Sequence, residues 1–585
     1  MLFRDYQLIV DFWKKNQRRM VGIILVTAIG TGISLSFPYL LKLLIDGIKT
    51  QLAVSKLLTY VGILLGLGIL RSFVGVGLPY IRGRTNELFN WNIRSIVFRH
   101  ILKLGHSFTN KFPSGDVIER LDQDLGELSW FACSGVFRPI EGIFTIIIAL
   151  IILIRLNPLL TLISVLPVWL AVLVWLKLGP LVYTWYRAWR EKISEANNHL
   201  ESSFTGIKII KSYCVENWNI KRFKEILKER INRSVTVTKA EAKIGIFFSG
   251  IAELGILLIL WVGGTLVIRQ QLTLGSFVAF NAYILMLITP MFDIGNFFVA
   301  GRRAKAGEER IRELKDASPD IKISPSIHTI EQWQSIVFKD VSFQYSPNQH
   351  FVLQNINLSI KPNMKIGIAG TVGSGKSTLI KLLLRICEPT SGKILLNNID
   401  YRQIDLNQLR SLFGYAPQES SLFSDTIYNN IVWGRDNQNI ENLISELTAI
   451  TQLDEDIRDF PLGINQMIGE RGMRLSGGQK QKVALSRALF SKPEILILDD
   501  ATSNLDAQTE QKLIQTLTSS PFAQTLIIIS HRLTLLSICD LIYCLDKGKI
   551  IEKGTHEELL SKKGLYWKLY QKQILEKELA EVKIG

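Results

Sequence analysis

The sequence predicts a six-helix α-helical transmembrane domain followed by an α/β P-loop domain. Two observations carry this reading. Roughly the first 300 residues hold several apolar runs of about twenty residues, the length a helix needs to cross a hydrocarbon core. From Ile336 onward, short strand-like runs alternate with helical patterns, and one strand runs into Gly370-Thr371-Val372-Gly373-Ser374-Gly375-Lys376-Ser377-Thr378.

The candidate spans lie at about 20–43, 56–80, 137–154, 159–178, 244–268 and 275–299. The short turn Arg155-Leu156-Asn157-Pro158 joins the third and fourth, and Arg269-Gln270-Gln271-Leu272-Thr273 joins the last two, so these pairs form antiparallel hairpins. Between the second and third spans lie roughly fifty residues, and between the fourth and fifth roughly sixty, both rich in Lys and Arg. The positive-inside rule puts these long loops, and with them both termini, on the cytoplasmic side of the inner membrane. In 197–233, Leu200, Phe204, Ile207 and Ile210 keep helical spacing among charges, so helices are expected to continue out of the bilayer. The segment 315–326 breaks into Asp, Ser and Pro. The expected division is a membrane domain over 1–320, a linker over 321–335 and a soluble domain over 336–585.

The formal charge of +16 raises the question of nucleic acid. Much of the excess sits between apolar runs, as in 208–243, where it suits loops facing anionic lipid, so no nucleic-acid partner is expected. Cys133, Cys214, Cys387, Cys539 and Cys544 show neither metal-ligand spacing nor a disulfide framework. The first nineteen residues mix charges with aromatics and lack a cleavage site. They are read as an amphipathic helix on the membrane surface, Phe12 and Trp13 inward and basic residues at the headgroups.

The glycine-rich loop follows the apolar strand Lys365-Ile366-Gly367-Ile368-Ala369 and precedes a helical run, the context a P-loop requires. Its glycines let backbone N–H groups converge on phosphate oxygens, and the helix N-terminus adds its positive end. Lys376 is placed to reach the β- and γ-phosphates of ATP, and the Ser377 hydroxyl to ligate Mg²⁺. A second piece, Glu494-Ile495-Leu496-Ile497-Leu498-Asp499-Asp500, describes a buried strand delivering carboxylates to its carboxyl end, with Asp499 as a Mg²⁺ ligand. Any parallel strand can end in Asp; the pairing with the P-loop gives this one its meaning.

A third piece, Leu475-Ser476-Gly477-Gly478-Gln479, opens a helical run just before the acidic strand. With it the chain resembles the ATP-binding cassette (ABC) proteins, whose signature is this pentapeptide, and the resemblance extends over nearly the whole chain. Tyr345 is similar to the aromatic that stacks on adenine. Gln418 is similar to the glutamine that reaches Mg²⁺ and senses the membrane domain. Ser503-Asn504-Leu505-Asp506 resembles the loop that crosses between paired cassettes, and His531 the switch histidine. Glu470-Arg471-Gly472 resembles a segment typical of exporters. The stretches 115–124 and 201–223 resemble the intracellular loops of type I (B-family) exporters, whose short coupling helices press on the cassettes. The order of parts is that of a half-transporter. The resemblance implies a dimer with two ATP molecules between the cassettes, each held by the P-loop of one chain and the signature of the other.

One residue departs from the family pattern. A glutamate that polarises the attacking water usually follows the Mg²⁺-binding aspartate, and here that position is Asp500. Its carboxylate is expected to sit roughly 1–1.5 Å back, and a misplacement of about 1 Å can cost about a hundredfold in rate. The site on this chain's P-loop is therefore expected to bind ATP and hydrolyse it slowly. Two assemblies remain open: a heterodimer with a half-transporter that carries the glutamate, which is favoured, and a homodimer that turns over with Asp500.

Arg71, Glu141, Glu253 and Asp293 interrupt the apolar spans. Glu253 and Asp293 either line a pathway for a substrate with a polar or cationic part, or pair with other helices and hold the bundle. An amphipathic substrate (lipid, drug or peptide) is expected, among membrane lipids. No protease-like domain precedes the first span, which argues against exporters that cleave a leader. A fused cassette argues against an importer, and the spans exclude a soluble ATPase. A non-transporting ATP-gated channel, or a regulatory subunit that completes a partner's active site, is the alternative that Asp500 keeps open.

Overall fold

A computed structural model of the chain describes residues 6–321, 328–346, 350–435, 440–469, 475–520 and 524–584. It divides into two compact units, one of Met1–Leu102 with Ser114–Asp316, the other of Lys103–Pro113 with Ala317–Gly585. The short segment Lys103–Pro113 thus counts with the second unit, although it lies within the expected membrane domain.

In the first unit the predicted spans fall on helices, the sixth on two, Leu274–Met286 and Ile288–Lys315. Gln17–Lys49, Val54–Ile101, Ser114–Leu156 and Glu216–Ile268 are each long and apolar enough to cross a membrane. The apolar stretches Pro158–Pro167 and Leu274–Met286 open the fourth and sixth predicted spans. The helix beginning at Pro158 runs on to Thr205, past the end of its predicted span at about 178. Both predicted tight turns have a local cause. Asn157 caps the next helix, its side chain accepting from the Leu160 amide at 2.9 Å with Pro158 in the first turn. Thr273 caps the helix Leu274–Met286, and Asp46 accepts from Thr273 Oγ1 and the Gly275 amide, both at 2.9 Å.

The helix Gln7–Lys15 is present, and its Leu8, Ile9, Phe12 and Trp13 turn inward onto protein. Phe12 packs edge-on against Phe89, Trp13 against Phe137, and Trp13 Nε1 donates to the Ala132 carbonyl at 3.1 Å. Of the charged residues in the predicted spans, Glu141 pairs with Arg82 at 3.0 Å. Arg71 and Glu253 are exposed and Asp293 half-buried.

The two long stretches between predicted spans resolve into short helices between long ones. In the second, Ile207–Ser212 sits between Gly206 and Cys214, the latter at a positive φ of 54°. In the first, the short helix is His106–Lys111, flanked by Gly105 and Pro113, while 115–124 begins the next long helix.

The second unit carries two sheets. A four-stranded sheet has the order β2 (Leu353–Ile360), β1 (Ile336–Phe343), β4 (Ser391–Leu396), β5 (Ile399–Asp400), and is antiparallel. A six-stranded sheet has the order β10 (Lys549–Gly554), β9 (Leu541–Asp546), β3 (Lys365–Gly370), β8 (Thr525–Ile529), β7 (Ile495–Asp499), β6 (Phe413–Ala416). From β9 to β6 its strands are parallel. All five residues of β7 and all five of β8 are buried. Successive side chains go to opposite faces: Leu496, Leu498, Leu526 and Ile528 join one core, and Ile495, Ile497, Ile527 and Ile529 the other. A sheet covered on both faces needs continuous rather than alternating apolar runs, which is how these strands read in the sequence.

Candidate functional site: a phosphate-binding edge

β3, β8, β7 and β6 are neighbours, so their carboxyl ends lie side by side. Gly370 ends β3, His531 follows β8, Asp499 ends β7 and Gln418 follows β6. Residues up to 161 positions apart in the chain thereby meet along one edge, where open parallel sheets bind ligands.

The loop after β3 is held open by glycine. Gly373 and Gly375 have φ of 79° and 100°, and a Cβ at Gly375 would meet Leu353 Cδ2 at 2.7 Å. Thr371, Val372 and Ser374 complete the turn, and Lys376, Ser377 and Thr378 open the helix Lys376–Leu383. Val372 is exposed at the tip. Ser374 Oγ is buried with no hydrogen-bond partner among the described residues, a polar atom that suits a phosphate oxygen. Lys376 is buried, and its Nζ donates to the carbonyls of Gly370 and Thr371, both at 2.9 Å. Burial pushes its ammonium below the usual lysine range, against the pull of Asp500 and Asp499. Polyanionic phosphate in the loop would favour the charged form.

Ser377 Oγ lies 3.4 Å from Asp499 Oδ1, and Tyr415 donates its hydroxyl to Asp499 Oδ2 at 3.3 Å. Burial pushes the Asp499 carboxyl up. Hydrogen bonds from Ser377 and Tyr415 and the charge of Lys376 pull it down, and Asp500 pushes it up. A buried carboxylate beside a second carboxylate and a hydroxyl is a set of hard oxygen donors that fits Mg²⁺. Ser377, Asp499 and the side-chain oxygen of Gln418 are the residues that could hold it. Gln418 Nε2 lies 3.5 Å from Asp500 Oδ2, and the His531 amide 3.4 Å from Asp500 Oδ1. The site thus brings Lys376, Ser377, Gln418, Asp499, Asp500 and His531 together.

Tyr345 lies beside the loop's helix, its hydroxyl 3.1 Å from Thr378 Oγ1 and its ring under Lys381 Nζ at 5.5 Å. His106 packs on the same ring at 5.5 Å between centroids. The helix that carries His106 is tied down by Asp320, which accepts from both the amide and the hydroxyl of Ser107. Neither His106 nor Asp320 belongs to a motif, so pattern reading passes over them.

The helix Gly477–Phe490 begins with a reciprocal cap. Ser476 Oγ accepts from the Gln479 amide at 3.2 Å, and Gln479 Oε1 from the Ser476 amide at 3.0 Å. Gly477 and Gly478 pack on Asn504, where a Cβ on either would find neighbouring atoms at 3.2 Å. Gln481 fixes that contact, donating to Ser503 Oγ and accepting from the Asn504 amide, both at 3.0 Å. Glu470-Arg471-Gly472 lies outside the described residues.

A family model described as ABC transporter transmembrane region matches residues 20–291, and one described as ABC transporter matches 353–503. The chain is 31% identical over 568 residues to the probable multidrug resistance ABC transporter ATP-binding/permease protein YheI of Bacillus subtilis, covering 95% of each. This chain belongs to the ABC transporters. It is also 30% identical to the ATP-dependent lipid A-core flippase of Desulfotalea psychrophila, covering 95% of this chain and 96% of that one. A solved bacterial Atm1-family ABC exporter with ATP bound superposes with a TM-score of 0.78 at 25% identity, covering 95% of this chain and 98% of the other. The transporter is therefore a multi-pass membrane protein of type I exporter architecture. It binds ATP through its cassette and is an ATPase coupled to export.

Proposed function

We propose that this ABC transporter exports or flips an amphipathic molecule as one half of a dimer, and that the site on its own P-loop binds Mg-ATP but hydrolyses it slowly. The substrate class rests on relatives named as multidrug and lipid A-core transporters, and on a first unit that leaves many large apolar side chains uncovered. Both termini are placed on the cytoplasmic side, because the basic long loops are.

In this reading Lys376 leaves the carbonyls of Gly370 and Thr371 to hold the β- and γ-phosphates, with the backbone of Gly370 to Thr378 around them. Tyr345 stacks on the adenine. Ser377, Asp499 and Gln418 would hold Mg²⁺, whose charge would offset that of the transferred phosphate. His531 contacts the γ-phosphate, and Asp500 orients the attacking water. Ser476, Gly477, Gly478 and Gln479 present a helix N-terminus to the partner's nucleotide, since an anion-binding end works only when aimed at phosphate.

The observation that carries the slow site is Asp500. Its backbone lies in the left-handed region at φ 51°, and its amide donates to the Ile529 carbonyl at 2.8 Å. This anchoring favours leaving the missing methylene uncompensated. A heterodimer with a half-transporter that carries the glutamate is the favoured assembly, because this chain's complete signature would then serve the faster site.

The test is ATPase of the chain purified alone, together with affinity purification from native membranes. Slow turnover that Asp500→Glu raises about tenfold or more is expected, given the rate cost of misplaced groups. Fast turnover by the chain alone, abolished by Asp500→Asn, would refute the slow site. Recovery without a second half-transporter would refute the heterodimer.

A further inference from the structure

The segment carrying His531 leaves the sheet after Ile529, so its backbone has no strand partners. Its polar groups are satisfied one by one. The His531 amide points to Asp500 Oδ1 at 3.4 Å, and the Arg532 amide donates to Ser530 Oγ at 2.9 Å. The two groups on either side of Arg532 go to a single side chain. Gln573 donates its amide Nε2 to the His531 carbonyl and accepts from the Leu533 amide through Oε1 at 3.0 Å. Gln573 lies on the C-terminal helix Leu565–Ile584, 42 residues beyond His531.

The same segment reaches the other way through Arg532. Its guanidinium bonds Glu510 Oε2 at 2.5 Å and approaches the Leu505 and Ser503 carbonyls at 3.4 Å. Ser503 and Asn504 are in turn held by Gln481 of the signature helix. One chain of hydrogen bonds thus runs from the signature helix, through the Ser503–Asp506 loop and the His531 segment, to the C-terminal helix.

A primary amide gripping a carbonyl and an N–H two residues apart fixes the peptide planes between them. We propose that Gln573 is a positioning residue for His531: the C-terminal helix sets the backbone from which the imidazole reaches the γ-phosphate. The proposal rests on the switch role given to His531 above and adds to it the element that aims it. Gln573 is half-buried, so water can replace its bonds when it is removed. The loss then falls on aim more than on folding.

Single-turnover ATP cleavage by the full-length chain in lipid nanodiscs tests this, since one turnover is measurable even at a slow site. Gln573→Ala is expected to slow cleavage about tenfold, in line with the cost of sub-ångström misplacement, and to leave the Kd for ATP within about twofold. Hydrogen exchange at the Leu533 amide should rise. In a His531→Ala background the same change should cost less than about twofold, because there is no imidazole left to aim. Gln573→Glu, of the same size, keeps the acceptor for Leu533 but sets a carboxylate oxygen against the His531 carbonyl. It should also be slow, and it serves if the alanine variant does not fold. Wild-type cleavage by the folded Gln573 variants, or equal losses with and without His531, would overturn the clamp while leaving the histidine's role intact. A His531→Ala chain that cleaves at the wild-type rate would instead overturn the switch role, and the clamp with it.

Discussion

Arg82 Nη2 lies 3.0 Å from Glu141 Oε2 and donates to Thr27 Oγ1 at 3.0 Å, joining three helices of the membrane unit. The partners are unequally covered: the Arg82 side chain is 8% exposed and that of Glu141 is 40%. Removing the carboxylate strands a buried cation, whereas removing the cation leaves a carboxylate that the protein encloses far less. Glu141→Gln should therefore cost about 3 kcal/mol, the scale for breaking a buried pair, and Arg82→Met about 1 kcal/mol. Thermal unfolding in detergent checks the order, and a larger loss for Arg82→Met would refute it.

Asp116 bonds Arg120 at 2.9 Å and Arg310 at 2.8 Å, and Arg120 also reaches Glu313 at 2.8 Å. Burial pulls the Asp116 carboxyl up, but the hydrogen bonds and charges of the two arginines outweigh it and hold it below 3.8. The folded carboxyl is thus the stronger acid. Its contribution is complete above the unfolded value and is lost as pH falls through the folded one. The midpoint difference between wild type and Asp116→Asn should stay level from neutral pH down to about 5 and close below about 4. A difference unchanged at pH 3 would show that the tie is not ionic.

Where chemistry needs fixed spacing, the sequence was readable. The P-loop, the acidic end of β7 and the signature each keep their chemistry within about nine consecutive residues, and the apolar runs of β7 and β8 announce a sheet covered on both faces. What escaped depends on tertiary contact. Amphipathicity alone does not say that the apolar face of Gln7–Lys15 meets Phe89 and Phe137. The pairing of Glu141 with Arg82, and of His106 with Tyr345, crosses long separations with no local pattern. Gln573 carries no motif because its partners are backbone atoms, which any sequence supplies.

Cys214 offers a direct reading of orientation. It is exposed beside the short helix Ile207–Ser212, whereas Cys133, Cys387, Cys539 and Cys544 are buried. Burial also pushes the Cys539 and Cys544 thiols up to about 12, further suppressing the reactive thiolate. A membrane-impermeant maleimide should label one thiol per native chain, and only in inside-out vesicles, because the second long loop is placed in the cytoplasm. Cys214→Ser should remove the label. Labelling of intact right-side-out vesicles would reverse the proposed orientation.

Gly477 and Gly478 separate the two functions assigned to the cassette. A methyl group on Gly477 would press on Asn504 Cγ at 3.2 Å and Cβ at 3.3 Å, and Gln481 holds that loop in place, so Asn504 or the helix end must give by a few tenths of an ångström. The P-loop is on a different strand and keeps its own contacts to Gly370 and Thr371 through Lys376. If the signature serves the partner's nucleotide, Gly477→Ala should leave the ATP affinity of this chain's P-loop within about twofold and lower turnover of the assembled dimer by at least about tenfold, a loss typical of a displaced phosphate-facing donor. Lys376→Ala should do the reverse at this chain's site, abolishing ATP binding there. Photo-labelling each chain with an ATP analogue, alongside turnover, separates the two. Equal loss of ATP binding at this chain's own P-loop in Gly477→Ala would mean that the signature acts within its own chain, and the two-chain site would fall.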